Sequence, residues 1–112
     1  MLKKSNRIQN QRLIQKLGRD GQSYKTRHFV FRFLPSDLSD SKFAISISKK
    51  VSPKAVHRNK LKRQIAESLR NRIKTFKDAI VCLIIQKKGT PEKLDYSIID
   101  TEIQEFINHL LK

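Results

Sequence analysis

The sequence predicts an α/β two-layer sandwich, and three patterns of apolar residues support it. Phenylalanines at alternate positions of 29–33 indicate a strand with one apolar face. Apolar residues at every fourth position of 61–73 indicate an amphipathic helix. A continuous apolar run over 79–85 indicates a strand that is buried on both faces. With 112 residues, the chain has the size of one domain, so we expect residues 1–112 to form a single domain.

The elements are expected in the order α-β-β-α-β-α, with room for one further short strand. The first helix can be capped by Ser5 and should reach about Leu17, because Gly18 and Gly21 then favour its end.

Two strands, over 28–34 and 43–48, are close enough in sequence to pair as an antiparallel hairpin. Their phenylalanine and isoleucine side chains should face the core. The opposite face is small and polar, and it leaves room for the backbone of a ligand; it carries Val30, Arg32, Ala44, Ser46 and Ser48.

The second helix should open at Ser52 and Pro53, with the serine as cap and the proline in the first turn. The strand over 79–85 follows this crossover helix and should lie among the earlier strands. Cys82 is expected to pack there as a small apolar residue. A final amphipathic helix is expected from about Ser97 or Asp100.

The charge of the chain is large and unevenly placed. It totals +15, and residues 1–77 carry 21 basic against 4 acidic side chains. Such a concentration of positive charge predicts a polyanionic partner such as nucleic acid. No stretch approaches the roughly 18 apolar residues of a membrane span, so no membrane partner is expected. The single cysteine argues against a disulfide framework or a multi-cysteine zinc site and favours a cytoplasmic location.

Catalytic and metal-binding patterns are missing from the sequence, so we predict neither a catalytic residue nor a metal site. The histidines are scattered, and the acids form no cluster near the basic region. Basic side chains instead crowd the start of the second helix, where amide groups and the helix dipole already favour anions. The predicted RNA-binding residues are Lys49, Lys50, Arg58, Asn59, Lys60, Lys62 and Arg63.

The segment over 43–63 resembles the signature of the bacterial ribonuclease P protein component. That family has an apolar strand ending in Ser-Lys-Lys, a short spacer and an Arg-Asn-x-x-Lys-Arg helix. These parts correspond here to residues 48–50 and 58–63. The N-terminal Asn6-Arg7, the chain length and the order of elements also fit, so the resemblance spans nearly the whole chain.

The resemblance implies the protein subunit of an endoribonuclease whose RNA carries the chemistry. The partners would be the ribonuclease P catalytic RNA and precursor tRNA, from which the 5′ leader is removed. Magnesium would be bound mainly by the RNA, the protein alone would be inactive, and it would be monomeric outside the holoenzyme. The resemblance also implies a left-handed βαβ crossover and a cleft for the leader, with the candidates Arg7, Ile14, Arg32, Ser46 and Ser48.

The sequence departs from the family pattern in the motif helix and in the expected leader cleft. Ala66 stands where the motif helix usually has a further arginine. Aromatic residues expected along the cleft are replaced by Ile14, Gly18 and Arg32. We therefore hypothesise that phosphate contacts from Arg32 and its neighbours replace base stacking.

Three other functions are weaker alternatives. A small ribosomal or general RNA-binding protein without a role in cleavage would share the charge and the size. A DNA-binding regulator that inserts residues 58–72 into the major groove would be expected to be all-helical, unlike this chain. A stand-alone nuclease would need an acid or histidine constellation near the basic face.

Overall fold

The computed structural model describes residues 2–37 and 40–111, and in these ranges it has a four-stranded sheet and three α-helices. Short 3₁₀ turns lie at Lys4–Asn6 and Ile73–Thr75. In chain order the elements are α1 (Gln11–Asp20), β1 (Gln22–Lys25), β2 (Phe29–Pro35), β3 (Lys42–Ser46), α2 (Ala55–Arg72), β4 (Ile80–Gln86) and α3 (Tyr96–Leu110).

The strand order in the sheet is β1-β2-β4-β3. The predicted hairpin of β2 and β3 is wrong, because β4 lies between them, antiparallel to β2 and parallel to β3. A strand that is apolar on both faces loses the most water-exposed surface in a central position. The prediction that β4 lies among the earlier strands is confirmed. The β3–α2–β4 crossover joins two neighbouring parallel strands, and its hand stays a prediction.

One face of the sheet packs against α2 and α3 and forms the main core. The three phenylalanines of β2 point into this core, as predicted, and Phe31 stacks on Phe106 of α3 with 4.3 Å between ring centroids. Cys82 is also fully buried there, and burial raises the pKa of its thiol. The packing of α2 and α3 on this face fixes the position of the sheet.

The opposite face is partly covered by α1. Its apolar cluster is small: Leu17 is the one fully buried residue of α1, and it packs with Val81 and Leu83 of β4. The predicted start of α1 at Ser5 is wrong, since the helix begins at Gln11 and the Asn10 side chain accepts a hydrogen bond from the Arg12 amide.

Two predicted helix boundaries differ from the structure for identifiable reasons. Of the two glycines predicted to end α1, Gly21 is its C-cap, whereas Gly18 lies within the helix, which continues to Asp20. Ser52 does not cap α2, which begins at Ala55 without a side-chain cap. The Ser52 hydroxyl instead donates to the Glu92 carboxylate at 3.0 Å, so it is withdrawn from the helix start.

Candidate nucleic-acid interface

A groove of about 610 Å³ runs between α2 and the N-terminal segment, with the edge of β3 between them. Its walls are apolar and its rim is basic. It brings together five residues predicted from sequence, two from the leader list and three from the RNA-binding list: Arg7, Ile14, Asn59, Lys62 and Arg63.

The N-terminal wall of the groove is attached to the free edge of β3. Arg7 forms a parallel bridge with Phe43, and the Ile8 amide donates to the Phe43 carbonyl at 2.9 Å. The Asn6 side chain donates to the Ser41 carbonyl at 2.8 Å. These bonds satisfy part of an otherwise unpaired strand edge and hold the exposed Arg7 beside the groove.

The α2 wall follows from helical periodicity. Asn59, Lys62, Arg63 and Ala66 lie at spacings of three and four residues and so share one side of the helix. Leu61 belongs to the buried side. Lys62 and Arg63 are exposed and form no ion pair or hydrogen bond with any other described residue. Their charges are therefore available to an anion from outside.

Arg58 is placed differently from the other predicted cations of α2. It is half-buried, and its Nη1 donates to the carbonyls of Ser52 and Pro53, both at 2.9 Å. The guanidinium therefore holds the loop that leads into α2. Arg58 sets the start of the basic helix as well as adding to its charge.

The remaining predicted cations lie outside the groove. Lys49 and Lys50 are exposed in the turn that follows β3. Lys60 is on the other flank of α2, beside Lys93. These three side chains extend the basic surface around the end of α2 without lining the groove.

The predicted leader residues on the sheet are also separate from the groove. Ser46 is exposed at the end of β3, and the buried hydroxyl of Ser48 has no hydrogen-bond partner among the described residues. The half-buried Arg32 extends from β2 to the last turn of α1, where its Nε donates to the Leu17 carbonyl at 3.2 Å.

Sequence reasoning missed the apolar residues that line the groove. For Ala66 a signal existed, because it continues the three- and four-residue spacing of the basic positions. For the rest there was none, since an N-terminal segment on a strand edge leaves no periodic pattern. The missed residues are Leu2, Ile8, Phe43, Ile45 and Ala66, whereas Ala44 is among those predicted on the ligand side of the sheet.

The C-terminal half of α2 is also rich in arginine, but its charges are paired. Arg70 contacts Glu67 at 2.6 Å, and Arg72 Nη2 donates to Asp100 of α3 at 2.6 Å. The Arg72 guanidinium lowers the pKa of Asp100, which also accepts a hydrogen bond from Ser68. Bound anions gain little from cations that already have partners.

The described residues contain no group of three histidine, cysteine, aspartate or glutamate side chains that could hold a metal ion. No helix of residues 2–37 and 40–111 combines the length and the apolar composition needed to cross a membrane.

Comparison with known proteins assigns the chain to a family. The family model for Ribonuclease P matches residues 2–111. The chain belongs to this family. It is therefore the protein component of the ribonuclease P ribonucleoprotein, an endoribonuclease, and this membership implies the ribonuclease P RNA as its partner.

Relatives and solved structures agree with this ribonuclease P assignment. The chain is 31% identical to the ribonuclease P protein component of Rickettsia typhi, over 89% of this chain and 92% of that protein. It resembles the Staphylococcus aureus RNase P protein with a TM-score of 0.79 and 27% identity, over 97% of both chains. The Thermotoga maritima RNase P protein has the same fold, with a TM-score of 0.82 over 92% of this chain and 96% of that one.

Proposed function

We propose that this ribonuclease P subunit forms a single RNA-binding domain over residues 1–112 that acts in the cytoplasm and assists removal of the 5′ leader from precursor tRNA. In this proposal it binds the catalytic RNA and the leader, while magnesium is held mainly by the RNA. The protein alone is inactive, and it is monomeric outside the holoenzyme. The observation that carries the proposal is the groove between α2 and the N-terminal segment.

The groove suits a single RNA strand. Its apolar walls can receive the faces of sugars and bases, and the unpaired Lys62 and Arg63 at its rim can receive phosphates. Asn59 adds a side-chain amide that can both donate and accept. Arg7 supplies a further cation from the opposite wall.

Other predicted contacts would extend the footprint beyond the groove. Lys49, Lys50 and Lys60 surround the start of α2, and a folded RNA there would gain from their exposed charges. Arg58 shapes this surface through the loop before α2. Ser46, at the end of β3, and Ser48, two residues beyond the strand that was predicted to include it, stay candidates for the leader.

Reconstitution tests the proposal. The protein is mixed with a bacterial ribonuclease P RNA at low magnesium concentration, and 5′ cleavage of precursor tRNA is followed. We expect strong stimulation over the RNA alone and no cleavage by the protein alone. RNA binding without stimulation would favour a general RNA-binding protein, and cleavage without the RNA subunit would favour a nuclease.

A further inference from the structure

The side chain of Arg32 donates three hydrogen bonds, two to the end of α1 and one to the neighbouring strand β1. Its Nε donates to the Leu17 carbonyl at 3.2 Å and its Nη2 to the Gly18 carbonyl at 2.9 Å. Its Nη1 donates to the Ser23 hydroxyl on β1. One guanidinium thus connects two neighbouring strands and a helix.

These carbonyls belong to the last turn of α1, where backbone oxygens run short of partners within the helix. The Leu17 carbonyl accepts from the Gly21 amide at 3.1 Å and takes Arg32 as a second donor, whereas the Gly18 carbonyl lies beyond that last backbone bond. The C-terminal end of a helix also carries partial negative charge, which favours a cation. A guanidinium offers donors in several fixed directions, whereas the ammonium of a lysine is a compact point charge on a flexible stem. The contact therefore needs the arginine and not merely its charge.

The tether matters because the apolar packing beneath α1 is limited, with Leu13 and Ile14 only partly buried beside Leu17. Leu17 is its one fully buried residue, and the apolar cluster beneath it is small compared with the main core. Ile14 lies one turn before the tethered carbonyls and lines the groove. A change in the position of the last turn would therefore move a wall of the groove.

We infer that Arg32 is a positioning residue, which holds α1 on the sheet and so sets the shape of the groove for the leader. This inference rests on the proposed function. The sequence alone suggested that Arg32 contacts a phosphate directly. In the role inferred here, Arg32 instead affects the leader by fixing the position of α1. The two roles differ in whether lysine can substitute for arginine.

Two variants and one control separate these roles. Arg32→Lys keeps the positive charge but loses the planar guanidinium with its several donors, and Arg32→Met loses both the charge and the donors. Lys25→Met removes a cation from the same sheet face, two residues along β1 from Ser23, without touching the tether. Amide hydrogen exchange of the free protein reports on each helix separately.

We expect faster exchange in α1, with unchanged α2 and α3, for both Arg32 variants and not for Lys25→Met. In the reconstituted holoenzyme both Arg32 variants should raise KM about three- to tenfold for a precursor with a long leader, with kcat unchanged. The KM for a precursor with a one-nucleotide leader should not change, which separates the effect from a general loss of folding.

If Arg32→Lys keeps both the wild-type KM and the wild-type exchange rate of α1, the inference is overturned in favour of a charge contact. Faster α1 exchange with an unchanged KM would also overturn it, because the tether would then be structural only. If the wild-type holoenzyme itself shows no dependence on leader length, the proposed function has failed, and this is seen before any variant is made.

Discussion

The two halves of α2 have similar arginine and lysine chemistry but opposite surroundings. In the first half, 55–63, Lys60, Lys62 and Arg63 are exposed and have no acidic partner among the described residues. In the second half, 64–72, both arginines are paired with carboxylates. The same type of side chain is therefore available to an outside anion in one half and is paired within the fold in the other.

The distribution of acids along the chain explains this difference. Residues 78–112 carry 6 acidic against 4 basic side chains, and α3 from this region packs against α2. It supplies Asp100 to the second half of α2. The groove side of the first half faces residues of 1–19 and 41–66, which contain no acid. On the other flank Glu92 pairs with His57 and forms no ion pair with Lys60. The uneven distribution of charge along the sequence thus divides α2 into a half with unpaired cations and a half with paired ones.

The largest expected effect comes from removing the free cations of the first half. Lys62→Ala combined with Arg63→Ala should weaken binding to the ribonuclease P RNA roughly tenfold at 0.1 M salt, because two phosphate contacts are lost. The slope of log affinity against log salt should become shallower by about 2. Filter binding over a salt series measures both quantities.

A charge-matched control separates position from total charge in that experiment. Lys74→Ala combined with Lys77→Ala removes the same charge beyond the other end of α2, where both side chains are exposed. We expect a nearly unchanged salt slope for this control. Equal slopes for the two double variants would contradict an interface confined to the first half.

A smaller effect is expected from breaking the ion pair that joins the second half of α2 to α3. Arg72→Met should lower the free energy of unfolding by about 1 kcal/mol, a value reduced by solvent screening of a partly exposed pair, and leave RNA affinity unchanged. Arg72 contacts Asp100 at 2.6 Å, and their side chains are 26% and 28% exposed. Urea unfolding at pH 7 measures the loss.

The stability lost in Arg72→Met is expected to depend on pH. Arg72 lowers the pKa of Asp100 in the folded state, so the pair stabilises the fold above the ordinary aspartate pKa of about 4. The contribution is lost as the pH falls through the lowered pKa. The difference between wild type and Arg72→Met should therefore shrink below about pH 4. A constant difference down to pH 2 would show that lost packing, and not the ion pair, causes the destabilisation.

The same contrast shows how far the sequence could predict the site. Periodicity predicted α2 and its buried side, and clustered charge predicted the basic half. These patterns could not separate Arg58 or Arg32 from the free cations, because all of the Arg58 acceptors and two of the three Arg32 acceptors are backbone carbonyls. Backbone groups are the same at every residue, so such contacts leave no pattern in the side chains.

The sheet shows a similar limit. The apolar run of β4 predicted a central strand, yet the hairpin of β2 and β3 was inferred from closeness in sequence alone. β1 has a mostly exposed, polar sequence, and its position at the sheet edge needs few apolar residues. Its strand character comes from pairing with β2, which is a tertiary effect.

The smallest effect is expected for Arg70→Ala, and it tests whether local pairing or total charge governs RNA binding. The variant removes one positive charge about 12 Å along the helix axis from Lys62, which exceeds the screening length of about 10 Å at 0.1 M salt. Arg70 is exposed and paired with Glu67, whose pKa it lowers, so removing it also frees a carboxylate. We expect no measurable change in Tm or in RNA affinity at 0.1 M salt, and a small loss of affinity at 0.01 M, where screening is weak. A loss at 0.1 M salt as large as that of Lys62→Ala alone would mean that RNA responds to the charge of the whole helix, and the boundary between its halves would have no role in binding.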